Sequence, residues 1–144
     1  MTIPEINVQE ARRRLDAGEA DVYLDVRTVA EFDAGHAPGA VNIPVLFMDP
    51  STGGRQANPE FVELVKSTVP ADARIICGCK SGGRSAVATE LLLNAGYKDV
   101  VNMVGGFGGR PDAPGWNTLG YPTTTEAGAG ESYASIVEQA AEEG

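Results

Sequence analysis

With 144 residues, 42% of them hydrophobic, the chain has the length of one ordinary domain and enough apolar content to bury a core without disulfide staples. Its formal net charge of -9, from 11 basic and 20 acidic residues, argues against nucleic acid or an anionic membrane as partner, because both demand a basic face. No apolar run approaches the roughly 18 residues of a bilayer span, and the opening MTIPEINVQEARRRL lacks the basic-then-apolar order of a signal peptide, so a soluble, cytoplasmic protein is expected.

In chain order, Asn7 and Glu10 form a capping pair for a short amphipathic helix whose apolar residues Val8, Ala11 and Leu15 recur at helical spacing until Gly18. VYLDV (22–26) reads as a strand covered on both faces, with Asp25 its charged exception. EFDAGH (31–36) makes one or two helical turns, AVNIP (40–44) a short strand, and the stretch 45–58, with Pro50, Gly53 and Gly54, an irregular connection. Asn58 and Pro59 open a helix carrying Phe61, Leu64, Val65 and Val69, which Pro70 closes. RIICGC (74–79) is the next strand. From Arg84 to Ala95 the residues Val87, Ala88, Leu91, Leu92 and Ala95 draw a buried helical stripe, and DVVNMV (99–104) is a further strand before the cluster GGFGG. Residues 123–130 read as a linker, and 131–143 as a last helix through Tyr133, Ile136, Val137 and Ala140. Strands alternating with helices predict right-handed crossovers and a mainly parallel sheet with helices on both faces, a three-layer α/β architecture. Ligands of such folds gather at the carboxyl ends of the strands, which brings 77–85 and 105–109 to one rim.

The two cysteines, Cys77 and Cys79, are separated only by Gly78, and His36 is the only histidine. That is a poor disulfide framework and an incomplete zinc set, so free thiols are expected, with no metal and no cofactor. A cysteine at a strand end, followed by a tight loop and a helix, lies where backbone N-H groups converge, and there its pKa falls from about 8.5 toward neutrality or below. Gly82 and Gly83 let the loop curl with its amides inward, a nest for one anion, while Lys80 and Arg84 add charge to the rim. The plainer alternative is a strand-to-helix turn around a buried, inert thiol.

LDVRTVAEFDAGHAPGAVNIP (24–44) and CKSGGRS (79–85), with GG at 105–106 and LGYP at 119–122, resemble the paired signatures of the rhodanese family of sulfurtransferases. The match covers about residues 5–123, implying a rhodanese domain over 1–122 and, outside the resemblance, a linker and helical tail over 123–144. GRQANPEFVELV and IICGCKSGGRSAVATELLLNAGYKDV look especially similar to plant-type and bacterial single-domain thiosulfate sulfurtransferases. The resemblance implies that Cys79 carries a persulfide, cradled by the amides of Lys80, Ser81, Gly82, Gly83 and Arg84. It implies thiosulfate as sulfur donor and cyanide, a small thiol or a thiol protein such as thioredoxin as acceptor.

Two rivals stand beside that reading. Phosphatases and arsenate reductases of the same fold place arginine six residues after the cysteine, around a larger tetrahedral anion; here Arg84 is five after Cys79 and Ser85 is sixth. A non-catalytic or redox-sensing binding module of this fold is the other. Cys77 reads as core filler, against the alternative of a resolving thiol, whose closure with Cys79 makes a very small, strained ring. Asp25 reads as a structural residue paired with Arg27, Arg74 or Arg84, against the alternative of a part in the site, and Glu31 is expected to reach Arg84 and hold the loop's outer edge. His36, in its G-H-x-P-G turn, reads as structural. The family's tryptophan follows the GG by about four residues, whereas FGGRPDAPG intervenes here before Trp116, so Phe107, Arg110 and Trp116 either shape acceptor access or cover the core.

Overall fold

A computed structural model describes residues 2–49 and 51–143; Pro50, noted above in the 45–58 connection, lies outside the described residues. The elements run β1 (Glu5–Asn7), α1 (Val8–Asp16), β2 (Val22–Asp25), α2 (Val29–Ala34), β3 (Val41–Asn42), β4 (Leu46–Met48), β5 (Arg55–Ala57), α3 (Phe61–Thr68), β6 (Arg74–Gly78), α4 (Gly83–Asn94), β7 (Asp99–Val104) and α5 (Tyr133–Glu143). The main sheet has the order β1-β7-β6-β2-β3, and each of its pairings is parallel. The expected three-layer α/β architecture with a mainly parallel sheet is therefore the one observed.

Period-two alternation sorts the strand residues between two cores. Leu24, Ile75, Cys77 and Val100 join Phe61, Leu64, Val65, Leu92 and Ile136 on the face covered by α3, α4 and α5. Tyr23, Ile76, Val101 and Met103 join Val8, Ala11, Phe32 and Trp116 on the other. Each large side chain so buried contributes about 1.5–3 kcal/mol, and the sheet they fix is the platform from which the loop after β6 projects.

Four details depart from the sequence expectations, each for a reason of context. The three residues of β1, the last of which, Asn7, is also the α1 N-cap, become a strand only by pairing with β7, a partner far along the chain. The stretch 45–58 is not merely irregular: β4 and β5 form an antiparallel two-stranded ribbon, with Phe47 opposite Gln56, which no period-two apolar pattern announces. Helix α2 begins at Val29, before EFDAGH, because Thr28 and Glu31 make a reciprocal capping box. On α4 the buried face is Ser85, Ala88, Thr89 and Leu92, while Val87 is 55% and Leu91 39% exposed. The apolar stripe misjudged the face because Ser85 and Thr89 have buried partners: the Thr89 hydroxyl donates to the Ser85 carbonyl at 2.7 Å.

The tail lies on the same chain. Thr124 exchanges backbone hydrogen bonds with His36, and Asn42 N-H donates to the Glu131 carbonyl. Beyond them Ile136 is buried in the core beside α3, and the Tyr133 hydroxyl accepts from Asn58 at 3.2 Å. Among the described residues no helix is long and apolar enough to cross a membrane.

Candidate active site

Strand β6 delivers Cys79 to the carboxyl edge of the sheet, one residue past Gly78, and the next residues turn into α4. Gly82 holds the turn at φ +128°, a backbone region that L side chains rarely adopt. Three carbonyls of this loop are taken by amides of the following glycine-rich segment: Gly105 N-H donates to Ser81 at 3.0 Å, Phe107 to Cys79 at 2.8 Å and Gly108 to Lys80 at 2.8 Å. The C=O and N-H of one peptide unit point in opposite directions, so drawing these carbonyls outward turns the Ser81 and Gly82 amides toward the sulfur. The Gly82 amide accordingly donates to Cys79 Sγ at 3.1 Å. Gly106 makes the approach of the two loops possible: a Cβ there would run into the backbone of Cys79 and Lys80.

A second donor comes from α4. The Ser85 hydroxyl lies 3.4 Å from Cys79 Sγ and 2.5 Å from Asn102 Oδ1, and its single proton serves one acceptor at a time. Asn102, on β7, donates its Nδ2 to Glu5 at 2.9 Å and to the Gly82 carbonyl at 3.2 Å, tying the loop to the two neighbouring strands.

These contacts set the acidity of the thiol. Burial pushes Cys79 up, but hydrogen bonds from the Ser85 hydroxyl and from the amides of Ser85, Ser81 and Gly82 outweigh it and leave the thiol below its ordinary pKa. At Cys77, two residues back and inside β6, burial prevails over the Thr89 contact and pushes the thiol up to about 12.

The rim is built from α2 and the end of β2. Arg84 donates both terminal nitrogens to Glu31, at 2.6 and 2.9 Å, so the loop is clamped to α2 from outside. Burial alone raises the Glu31 carboxyl, but pairing with Arg84 and the Thr28 contacts bring it down to about 2. Asp25 and Arg27 are both buried and paired through two nitrogens, the shortest contact 2.8 Å, which selects Arg27 from the three expected partners. The Arg27 guanidinium also donates to the Gly35 carbonyl at 2.8 Å and lies 4.4 Å from the centroid of Phe107. Arg27, Lys80 and Phe107 share a cavity of about 350 Å³ on this side of the loop, and among the described residues Lys80 makes no ion pair.

His36 is buried away from this site, stacked on Phe32 at 3.6 Å with its ring nitrogens facing the carbonyls of Phe32 and Glu126. Trp116 belongs to the core: it packs edge-on against Tyr23 and Tyr121 and donates to the Pro122 carbonyl at 2.7 Å. Arg110 pairs with Asp112. Of Phe107, Arg110 and Trp116, Phe107 alone borders the loop cavity. Sequence reasoning left Ser85 without a role and missed Asn102 and the 105–108 amides. A signal existed for one of them, since Asn102 is a polar residue inside an otherwise apolar strand and needs a buried partner.

A strand-end cysteine whose thiolate is favoured by converging amides and a hydroxyl defines the class: an α/β domain that holds an acidified thiol in a tight loop at the carboxyl edge of its sheet. Residues 7–109 match the family model of the rhodanese-like domain, and the chain belongs to that family. It is 43% identical over 118 residues to thiosulfate sulfurtransferase 16, chloroplastic, of Arabidopsis thaliana, a match spanning 82% of this chain and 90% of the relative. Thiosulfate sulfurtransferase 18 of the same plant is 42% identical over 127 residues, 86% of this chain and 85% of that one. A third Arabidopsis relative, the mitochondrial protein HIGH ARSENIC CONTENT 1, is 40% identical over 111 residues, 77% of this chain and 63% of its own length. Among solved structures, Rv0390 from M. tuberculosis superposes with a TM-score of 0.72 at 24% identity, covering 88% of this chain and 100% of that one. The rhodanese-like domain of an Anabaena protein follows the same fold with a TM-score of 0.65 at 24% identity, over 85% of this chain and 80% of that one. Kinship with sulfurtransferases supports sulfur transfer in the broad sense.

Proposed function

We propose that the protein is a thiosulfate sulfurtransferase working through a persulfide on Cys79. The observation that carries this reading is the donor set around one sulfur: the Gly82 amide at 3.1 Å and the Ser85 hydroxyl at 3.4 Å from Cys79 Sγ, in a loop closed five residues on by Arg84. In the first half-reaction the Cys79 thiolate attacks the sulfane sulfur of thiosulfate; the new S-S bond forms as the bond to the sulfonate sulfur breaks, and sulfite leaves with the electron pair. The product is a persulfide anion, one sulfur longer than the thiolate, which the inward amides and the Ser85 hydroxyl stabilise. In the second half-reaction cyanide or a thiolate attacks the outer sulfur and Cys79 leaves as thiolate.

The net charge of -9 opposes a dianionic donor, so attraction must be local. Lys80 is exposed, borders the loop cavity and, among the described residues, makes no ion pair, whereas Arg27 is neutralised by Asp25 and Arg84 is committed to Glu31 and serves chiefly to hold the loop. The acceptor classes are cyanide, small thiols and protein thiols such as thioredoxin. The elevated pKa of Cys77, about 12, speaks against a ready resolving thiol and for core filler. The test is steady-state thiocyanate formation from thiosulfate and cyanide: parallel double-reciprocal lines, abolished in Cys79→Ser, are expected, and turnover that survives the substitution would end the proposal. The relative named for arsenic content makes arsenate the rival oxyanion to run alongside, with p-nitrophenyl phosphate; Cys79-dependent turnover of either in place of sulfur transfer would favour the larger-anion chemistry.

A further inference from the structure

A second cavity of about 350 Å³ meets the end of the Cys79 loop at Gly83 and Arg84, between the β4–β5 ribbon and α4. Its walls are Val45, Leu46 and Ala57 on the ribbon side and Val87 and Leu91 on the helix. Its inner end is Gly83 and Arg84, next to the Gly82 amide that holds Cys79 Sγ. Three facts set this hollow apart from ordinary surface. Val87 and Leu91, one turn apart on the helix that carries the nucleophile loop, leave 55% and 39% of their surface in water, a cost that buried neighbours on the same helix avoid. The opposite wall brings Val45, Leu46 and Ala57 to face them, with Gln56 and Asn58 beside these, so the exposed residues face a preformed slot. Arg55 stands exposed at its edge and, among the described residues, makes no ion pair, in a chain whose acidic residues outnumber its basic ones 20 to 11.

We propose that this hollow binds the organic part of the sulfur acceptor, and that the acceptor class it fits is a thiol with an apolar chain ending in a carboxylate. The chain lies between Val87, Leu91 and the ribbon, the carboxylate meets Arg55, and the thiolate reaches the outer sulfur of the Cys79 persulfide past Gly83. The step balances: the acceptor thiolate forms a bond to the outer sulfur, the bond between that sulfur and Cys79 Sγ breaks, and its electron pair returns to Cys79 as thiolate while the acceptor leaves as a persulfide. This rests on the sulfurtransferase reading for the transfer step, whereas occupancy of the hollow does not depend on it.

The experiment has two arms. In the first, protein loaded with thiosulfate and freed of donor is discharged by 3-mercaptopropionate, 6-mercaptohexanoate and 8-mercaptooctanoate, with 8-mercapto-1-octanol as the uncharged match and cyanide as the small reference. The second-order rate constant is expected to rise about two- to fourfold per methylene, as burial of successive CH₂ groups requires. In Leu91→Asp the ratio of the 8-mercaptooctanoate to the cyanide constant is expected to fall at least tenfold, and Arg55→Ala is expected to erase the preference for 8-mercaptooctanoate over the alcohol. In the second arm, octanoate and hexanoate are titrated into sulfur-free protein by calorimetry, so occupancy is decided whether or not Cys79 takes up sulfur. Tighter binding of octanoate than hexanoate, lost in Leu91→Asp, supports the hollow even if no persulfide forms. A flat chain-length series, or a slope unchanged in Leu91→Asp, together with no octanoate binding, overturns it, and a persulfide still discharged by cyanide would then leave the sulfurtransferase reading standing.

Discussion

Cys77 and Cys79 lie two residues apart and on the same side of the sheet, 0% and 2% exposed, yet their thiols are driven in opposite directions. Cys77 sits among side chains inside β6, and burial leaves it a neutral filler. Cys79 sits at the first position where the chain leaves the sheet, and its own loop, turned by the 105–108 amides, supplies the donors that offset burial. The difference teaches that desolvation alone makes a cysteine inert, and that what makes it reactive is the organised set of N-H and O-H groups around it.

The largest expected break in that comparison comes from removing each sulfur in turn. Cys79→Ser is expected to lower kcat/KM for thiosulfate:cyanide transfer by about 10⁴-fold or more, the scale seen when a nucleophile is removed, whereas Cys77→Ala leaves it within about twofold and lowers unfolding free energy by about 1–2 kcal/mol through the small cavity created. A Cys77→Ala enzyme as inactive as Cys79→Ser would erase the distinction. Next comes Gly106→Ala, at φ +56° and against the Cys79 loop: displacement of the loop is expected to cost about 100-fold in kcat/KM, with a loss of thermal stability read by calorimetry.

Ser85→Ala sharpens the comparison without moving the backbone. With the hydroxyl gone, Cys79 is expected to move toward its ordinary pKa, so the pH-rate profile for persulfide formation, expected in the native protein to rise with pH and level off below the range of an ordinary thiol near about 8.5, is expected to shift upward. A loss of about tenfold near neutrality is expected from one hydrogen bond to a charged acceptor; an unchanged midpoint would remove Ser85 from the account. The smallest effect is that of Glu31→Gln, about 1 kcal/mol for a partly exposed ion pair. Because the folded Glu31 pKa, about 2, lies under the ordinary 4.5, the pair's stabilisation is present above about 4.5 and fades as pH falls toward 2. The stability gap between native and Glu31→Gln protein, measured by urea titration, is expected to close across that window.

Much of this was legible in the chain because the relevant patterns are local. The alternation of VYLDV, RIICGC and DVVNMV with amphipathic helices specifies a parallel sheet, and the short run from Cys79 to Arg84 marks the loop by its glycines and its spacing. What was not legible depends on partners far away in sequence. Strand β1 exists through β7, and the β4–β5 ribbon through a pairing that polar RQA does not advertise. The orientation of the Cys79 loop depends on amides some 25 residues downstream, and Ser85 joins the buried face of α4 because Asn102 waits on β7. Val87 and Leu91 were misplaced for the converse reason: apolar periodicity predicts burial, and these two residues instead line a hollow beside the loop.

The most direct test of the central claim is intact mass of the protein after brief exposure to thiosulfate, with released sulfite measured in the same sample. The account predicts a gain of one sulfur, about 32 Da, matched by one sulfite per chain, mapped to Cys79 by peptide analysis and absent from Cys79→Ser but present in Cys77→Ala. Sulfur found on Cys77, or no gain from thiosulfate or any other sulfane donor, would contradict it.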